Sequence, residues 1–298
     1  MTIAAAAGAW LQRLTVRDGI SWLAVFFYLM QPALLALACL VAAFVAFRLR
    51  RRRLLIAAAA IAITSSVHWL TVNFRRHSPP AQTVAAPAAR VVLWNVTGQR
   101  FADTALRRTI LAHDPDLIVL VEAYTNLASR HAARTAGYTV AFSPSTPSLV
   151  LLVRGEVLES RGWISAGGAR LLESRVKLRD RVLRALCVDI PSNPLRSRRA
   201  AIEDVAAAVR SARPGESTLI LGDFNTPPDS ILFEPLRRLA ACAWESAGIG
   251  YRCTWPSVFP VLAIDQVWVT PGLSPRHCEM FTSLHSDHRG VVAEIAVD

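Results

Sequence analysis

Two stretches without a single aspartate, glutamate, lysine or arginine, residues 20–47 and 54–74, flank the hexapeptide RLRRRR at residues 48–53. Crossing the hydrocarbon core of a bilayer takes ~20 apolar residues at ~1.5 Å rise each, and both stretches reach that length. Back to back, two such runs would overfill the core of a soluble domain. A cleavable leader fits poorly, because its apolar segment is ~7–15 residues long and ends in small residues, whereas the first stretch ends in arginines. The expectation is a two-helix transmembrane hairpin whose partner is membrane lipid along residues 20–74. Residues 1–19 read as an N-terminal tail, 20–47 as the first span with a kink at Gln31-Pro32, 48–53 as a basic loop and 54–74 as the second span. The proline- and alanine-rich residues 75–90 read as an extended linker, and residues 91–298 as a globular domain.

Basic residues in short loops favour the cytoplasmic side. The 48–53 loop is the densest basic segment, so the chain is expected to be a multi-pass integral membrane protein with its domain outside the cytoplasm. Arg75-Arg76 pulls the other way. Residues 1–90 hold ten arginines and one acid, Asp18, and so carry +9 of the formal net charge of +11. The remaining +2 leaves residues 91–298 nearly neutral. Duplex binding draws on many Lys/Arg–phosphate contacts, so nucleic acid stays open as a partner but is not favoured by charge.

Within the domain, short apolar runs of strand type occur at residues 90–96, 116–121, 138–142, 148–153, 217–221, 264–270 and 290–297. Two more lie within 170–190, broken at Arg179-Asp180 as in a hairpin. Helical spacing marks residues 102–113, 126–135, 197–212 and 231–241. Strands interspersed with helices, several arriving as hairpins, fit an α/β fold with helices outside the sheets.

Asn95, Glu122, Asp223, Asn225, Asp265, Asp287 and His288 each sit inside or just past a strand-type run. Side chains at strand ends of one sheet edge converge on one cleft from distant sequence positions. The set holds acids, amides and an imidazole, with no cysteine or serine nucleophile. That chemistry fits metal-assisted hydrolysis of a phosphate ester. A hard cation takes oxygen ligands and keeps several waters, while amide and imidazole N–H groups hold phosphoryl oxygens as charge grows.

The segments LWNV, VLVEA, LGDFNTPP, AIDQVWV and SDHRGVV resemble, in this order, the endonuclease/exonuclease/phosphatase (DNase-I-like) superfamily over residues 90–298. The resemblance implies a four-layer α/β sandwich, two mixed β-sheets flanked by helices. It implies a Mg²⁺- or Mn²⁺-dependent phosphoesterase acting on nucleic acid, a lipid head group or a small phosphoester. Glu122 would be the main metal ligand, with Asn95 beside it positioning metal and phosphate, and Asp287 near the metal. Asp223 would orient or deprotonate the attacking water, and Asn225 would bind phosphate. His288 would contact the scissile phosphate, with Asp265 fixing its tautomer. Whether His288 or Asp223 is the base stays open.

One position departs from the pattern. The family strand matching residues 183–190 usually presents a histidine to the phosphate, and here the residue is Asp189. An ionised carboxylate donates no hydrogen bond, so Asp189 is left to bind metal or a substrate hydroxyl, or Asn193 supplies the donor. The departure keeps a second reading open, a weakened or inactive membrane-tethered binding domain using the same cleft. His113, His131, His277 and His285 lack metal-ligand spacing and read as surface residues. Trp94 and Trp268 read as core, and Trp255 as core or as the border of the cleft. Cys187, Cys242, Cys253 and Cys278 allow three full pairings, with Cys242–Cys253 the local one, or stay free thiols.

Overall fold

Residues 2–76, 88–178 and 180–297 are described by a computed structural model, so most of the expected 75–90 linker (77–87) and Arg179 lie outside the described residues. The chain divides into two compact units, one formed by residues 1–75 with 193–197 and 229–232, the other by the remainder.

The first unit is helical: α1 (Thr2–Leu14), α2 (Ala24–Leu29), α3 (Pro32–Arg48) and α4 (Arg52–Asn73). Two expectations need correction. Residues 1–19 are not a plain tail, because the alanine-rich α1, built from the best helix former, packs Ala6 and Ala9 with Leu35, Cys39 and Ala62. Residues 20–47 are not one helix. The residue before a proline is pushed out of the helical region, and Gln31 is extended at φ −64° and ψ 144°. Its amide nitrogen donates to the carbonyls of Phe27 and Tyr28 at 3.0 and 3.2 Å, which closes α2. Pro32 then opens α3 at the one position where its missing N–H costs nothing. α3 and α4 form a hairpin closed by Arg50 at φ 54°, with Cys39, Ala43, Ala46, Ala58, Ala62 and Ser65 buried. Small residues of this kind let helix backbones approach closely.

The second unit holds two six-stranded sheets. The first takes the order β11-β12-β1-β2-β4-β3, from β1 (Ala88–Asn95), β2 (Leu117–Val121), β3 (Thr139–Phe142), β4 (Leu149–Val153), β11 (Leu273–Phe281) and β12 (Gly290–Val297). The second takes the order β9-β10-β8-β7-β6-β5, from β5 (Glu156–Ile164), β6 (Arg170–Leu178), β7 (Arg181–Asp189), β8 (Thr218–Asp223), β9 (Ala241–Cys242) and β10 (Asp265–Val269). Each sheet is mixed, since β1 runs parallel to β2 and β7 parallel to β8 while the other pairs are antiparallel.

Strand alternation sorts the core. Val92, Trp94, Ile118, Leu120, Val150 and Leu152 pack with Leu106 and Ile110 of α5 (Thr104–Leu111) and Ala133 of α6 (Leu127–Thr135). The opposite-facing Val91, Leu93, Leu117, Val119, Leu149 and Leu151 are also fully buried. Being covered on both faces explains why these strands read as continuous apolar runs. α7 (Arg199–Arg210) links the parallel strands β7 and β8, burying Ile202, Val205, Ala206 and Val209. The result is the expected α/β fold of two mixed sheets flanked by helices.

The expected helix at 231–241 shrinks to a 3₁₀ turn (Ile231–Phe233) and α8 (Glu234–Arg237), and β9 takes its last residues. β5 and β11, which the apolar pattern does not mark, are the outer strands of their sheets. β5 carries Glu156, Glu159 and Arg161, and β11 has a register shift between Pro275 and His277. Charge, proline and bulges blunt a sheet edge. All five cysteines are buried thiols, so the Cys242–Cys253 pairing does not form. α9 (Ala243–Ala247) follows Cys242 directly.

Two positions are tested by substitution. Arg184, fully buried, pairs with Glu173 at 2.7 Å. Removing one partner of such a pair strands the other charge. Glu173→Ala is expected to lower unfolding stability by ~3–5 kcal/mol in chemical denaturation, and a loss below ~1 kcal/mol would refute this role. Gly222 lies on β8 opposite Val188 of the parallel β7, where an added Cβ would stand 1.9 Å from the Val188 carbonyl oxygen. Gly222→Ala is expected to cost ~3 kcal/mol or more by forcing β7 and β8 apart, read as a fall in Tm.

Candidate active site

A register row assembles the site. Arg170 pairs with Asp189, Asp189 with Asp223, and Asp223 with Asp265, so four polar side chains stand abreast on β6, β7, β8 and β10. Gly222 permits the close approach of β7 and β8 that brings Asp189 and Asp223 side by side. Asn95 ends β1, and Glu122 follows β2.

Donor atoms of Asp223, Asp265 and His288 all lie within 4.8 Å of one another. His288 Nδ1 meets Asp265 Oδ2 at 2.8 Å. The Trp94 indole donates to the His288 carbonyl at 2.9 Å and locks its backbone. Asn95 Nδ2 donates to Glu122 Oε1 and to Asp223 Oδ2, both at 3.1 Å, so one amide joins the two carboxylates. Asp287 accepts from Thr97 Oγ1 at 2.5 Å and from the Trp255 indole at 3.1 Å. Trp255 therefore borders the cleft, while Trp94 and Trp268 are fully buried in the core.

Thr97, Glu122 and Asn225 have φ of 46°, 52° and 48°. Non-glycine residues rarely adopt this region, and such strain gathers where a site over-determines the backbone. Hydrogen bonds hold each of them. Thr97 N–H donates to Asn95 Oδ1, Gly98 N–H to the Glu122 carbonyl, and Asn225 N–H to Asp223 Oδ1.

Asp223 is pushed up to about 8, first by burial and then by Asp265, against the pull of His288. For His288, burial disfavours the imidazolium, but Asp265, Asp223 and Asp287 outweigh it and raise the group to about 9. Burial would also raise Asp287, yet the Thr97 and Trp255 hydrogen bonds and His288 hold it below the usual carboxylate range. The rises at Asp223 and His288 both draw on neighbouring carboxylates, in a cleft richer in carboxylates than in counter-charge.

That imbalance bears on a divalent cation. Glu122, Asp223, Asp265 and Asp287 face a single imidazole, and Asp265 Oδ1 is buried with no hydrogen-bond partner. Glu122 and Asp287 are exposed oxygen donors, which suits a hard ion that keeps several waters. The residues fit such an ion. Asn95 fits less well than the sequence implied, because its amide oxygen is spent on Thr97 N–H and its nitrogen faces the carboxylates.

Two other expected residues are occupied elsewhere. Asn225 Nδ2 donates to the Ile190 carbonyl at 2.8 Å, which leaves one N–H for a ligand. Asn193 is exposed and caps its own turn by accepting from Leu195 N–H, and it groups with the first unit. Asp189 is buried and accepts from Arg170 at 3.0 Å and from Ser148 at 3.5 Å. Burial first, and Glu122 further, push its carboxyl up, while Arg170 pulls it down. Arg170, half-exposed, and Ser148 were invisible to sequence reasoning. Arg170 carries no apolar-run or motif signal, and only the strand register places it here.

No functionally curated protein matches the chain by sequence. Among solved structures, the endonuclease/exonuclease/phosphatase of Bacteroides vulgatus superposes with a TM-score of 0.57 at 15% identity, over 71% of this chain and 100% of that one. D. rerio TDP2 complexed with a single-strand DNA product gives 0.55 at 18% identity, over 70% and 98%. A mannosyl-6-phosphatase of Bacteroides thetaiotaomicron gives 0.54 at 14% identity, over 70% and 99%. At these identities the likeness establishes the fold. Residues 92–288, about two thirds of the chain, match the Endonuclease/Exonuclease/phosphatase family as a sequence family, and the chain belongs to it.

Proposed function

We propose that the second unit hydrolyses a phosphate ester with the help of Mg²⁺ or Mn²⁺, and that residues 20–74 anchor it in a membrane. One observation carries the first reading: the dyad of His288 and Asp265 stands within reach of Asp223, which one Asn95 amide ties to Glu122. A domain that merely binds a partner has no need of two acids buried around one imidazole. A neighbour complexed with a DNA product and one that is a sugar phosphatase agree with phosphate esters as the substrate class.

In this reading Asp223 receives a hydrogen bond from water and directs it toward phosphorus. Its raised proton affinity suits it to accept a proton from that water. His288, kept as imidazolium by Asp265, presents Nε2–H to a phosphoryl oxygen as negative charge builds there. The remaining N–H of Asn225 adds a donor, while Asn95, whose amide is fully engaged, holds Glu122 and Asp223 in place. Glu122 and Asp287 would hold the cation, which when bound supplies Lewis-acid polarisation of the phosphoryl group. Arg170 brings a cation to the strand end where the family pattern has histidine, and its pairing with Asp189 neutralises an acid that would repel phosphate.

Membrane anchoring is supported by exposure. α4 is long and apolar enough to cross a bilayer, and most of its apolar stretch is exposed. A helix in a soluble core would be covered. Leu37, Leu40, Val41 and Phe44 of α3 and Ile56, Ile63, Val67 and Leu70 of α4 are all exposed. At 17 residues α3 spans ~26 Å, slightly short of a ~30 Å hydrocarbon core, and its arginine end can reach the interface. With the RLRRRR loop in the cytoplasm, the catalytic unit lies outside it.

The full chain, purified in detergent with Mg²⁺ or Mn²⁺, is expected to hydrolyse bis(p-nitrophenyl) phosphate and to lose that activity in EDTA. Asp223→Ala and His288→Ala should each lower kcat by ~10²–10⁴. Turnover untouched by EDTA would sink the metal-assisted reading. In membranes, the chain is expected to resist alkaline carbonate extraction, and alkaline phosphatase fused after Asp298 should be active. Release by carbonate would refute the anchor, and a fusion active only as a cytoplasmic reporter would reverse the orientation.

A further inference from the structure

Scattered apolar side chains on a surface need no explanation, but a cluster does. Among its described residues, the second unit exposes eight large hydrophobic side chains, and Leu158 and Val182 are the two away from the site. The other six are Tyr124, Leu127, Ile164, Val258, Phe259 and Leu284. Each is tied to the cleft by chain or hydrogen bond. Ile164 pairs with Arg170, extending the row that runs through Asp189 and Asp223 to Asp265. Tyr124 lies in the loop after Glu122 and Leu127 at that loop's end, opening α6, and Tyr124 N–H donates to the Gln99 carbonyl in the loop after Asn95. Val258 and Phe259 share the loop in which Ser257 N–H donates to the Asp287 carbonyl at 2.6 Å. Leu284 lies three residues before Asp287. Val182, by contrast, pairs with Lys177 toward the other end of β7.

The exposure is nearly complete at three of the tips: 84% for Leu127, 94% for Val258 and 99% for Leu284. These come from three separate loops, so no single hydrophobic segment accounts for the pattern. What they share is the rim. A ring of apolar tips around a polar, carboxylate-lined centre matches an amphiphile at an interface, with its tails beside the rim and its head group in the cleft. A nucleic acid partner would call for a ring of cations, and the near-neutral charge of residues 91–298 does not supply one.

We propose that this rim docks into the apolar layer of a bilayer and presents the site to the phosphate ester head group of a membrane lipid. The inference rests on the phosphoesterase and anchoring readings above and names their substrate class. Apolar side chains entering the acyl boundary add binding in proportion to the area they bury.

The test uses the full chain reconstituted in phosphatidylcholine vesicles, with an environment-sensitive fluorophore attached at Val258→Cys, Leu284→Cys or, as reference, Val182→Cys. The native cysteines are buried and leave the label site-specific. Doxyl-labelled lipids are expected to quench the probe at 258 and 284 and to leave the probe at 182 unquenched. Equal quenching at all three positions, or none at any, overturns the docking surface. In parallel, the variant Leu127→Ser/Val258→Ser/Leu284→Ser should hydrolyse vesicle-borne phosphatidylcholine or phosphatidic acid about tenfold more slowly, with bis(p-nitrophenyl) phosphate turnover unchanged. Equal loss on both substrates would mean a damaged fold and overturn the rim's selective role. Hydrolysis of the soluble diester with no lipid turnover by the parent chain overturns the lipid substrate and keeps the phosphoesterase. Quenching at the rim with neither ester hydrolysed removes the phosphoesterase and upholds the docking surface.

Discussion

The register of β6, β7, β8 and β10 is the constraint from which the cleft follows. It sets Arg170, Asp189, Asp223 and Asp265 in one line across four strands, three of them carboxylates almost removed from water. Burying like charges together is costly unless counter-charge or hydrogen bonds intervene. The chain supplies partners unevenly along the row. Asp189 has Arg170, Asp265 has His288, and Asp223 in the middle has amide and backbone donors plus the more distant imidazole. The acid least matched by a counter-charge is therefore the central one, and burial with Asp265 beside it pushes its carboxyl up to about 8. A slip of one residue between β7 and β8 would turn Asp189 and Asp223 to opposite faces, and no loop movement would restore the line.

Much of this was legible in the order of residues along the chain. Strands covered on both faces announce themselves as unbroken apolar runs, and polar residues at their ends stand out because nothing else there is polar. Asn95, Glu122, Asp223, Asp265, Asp287 and His288 were visible for that reason, and the structure gathers them. Asn193 was placed by proximity to Asp189 alone, and its turn takes it elsewhere. β5 and β11 escaped notice because an edge strand protects itself with charge and irregularity, which erases the apolar period. The division between α2 and α3 was half visible. The proline was plain, but that Gln31 would close one helix while Pro32 opens the next depends on side-chain hydrogen bonds that no hydropathy pattern encodes.

Arg170 and Asp189 show how a departure from a family pattern is absorbed. Read alone, an aspartate in place of a histidine removes a donor and adds a repulsive charge. In the folded unit the neighbouring strand offers a guanidinium in register, 43% exposed, against a carboxylate that is 4% exposed. The acid faces inward and the cation keeps access to solvent, so what the cleft presents is the positive partner. The pair exchanges a neutral, directional donor for a charged, forked one. A guanidinium on a strand end has several N–H groups, and one hydrogen bond to Asp189 leaves others unused. Such a donor reaches farther from the sheet edge than an imidazole would.

The backbone strain at the cleft joins these threads. Thr97, Glu122 and Asn225 take left-handed conformations within two residues of the ends of β1, β2 and β8, two of them just past Asn95 and Asp223 and one at Glu122 itself. A left-handed residue turns the chain sharply, so each loop leaves the sheet edge at once instead of extending over it. That keeps the carboxylates of Glu122 and Asp287 open to solvent while Asp223, Asp265 and His288 remain buried behind them. The site thus has depth: a wet outer tier of oxygen donors and a dry inner tier around His288. In the proposed reaction a cation with its waters would belong to the outer tier, and the attacking water to the boundary between the two. Strain of order 1–3 kcal/mol per residue is what the fold spends to hold that boundary in place, and β-branched Thr97, the least tolerant of the three, marks the turn on which both Asn95 and Asp287 depend.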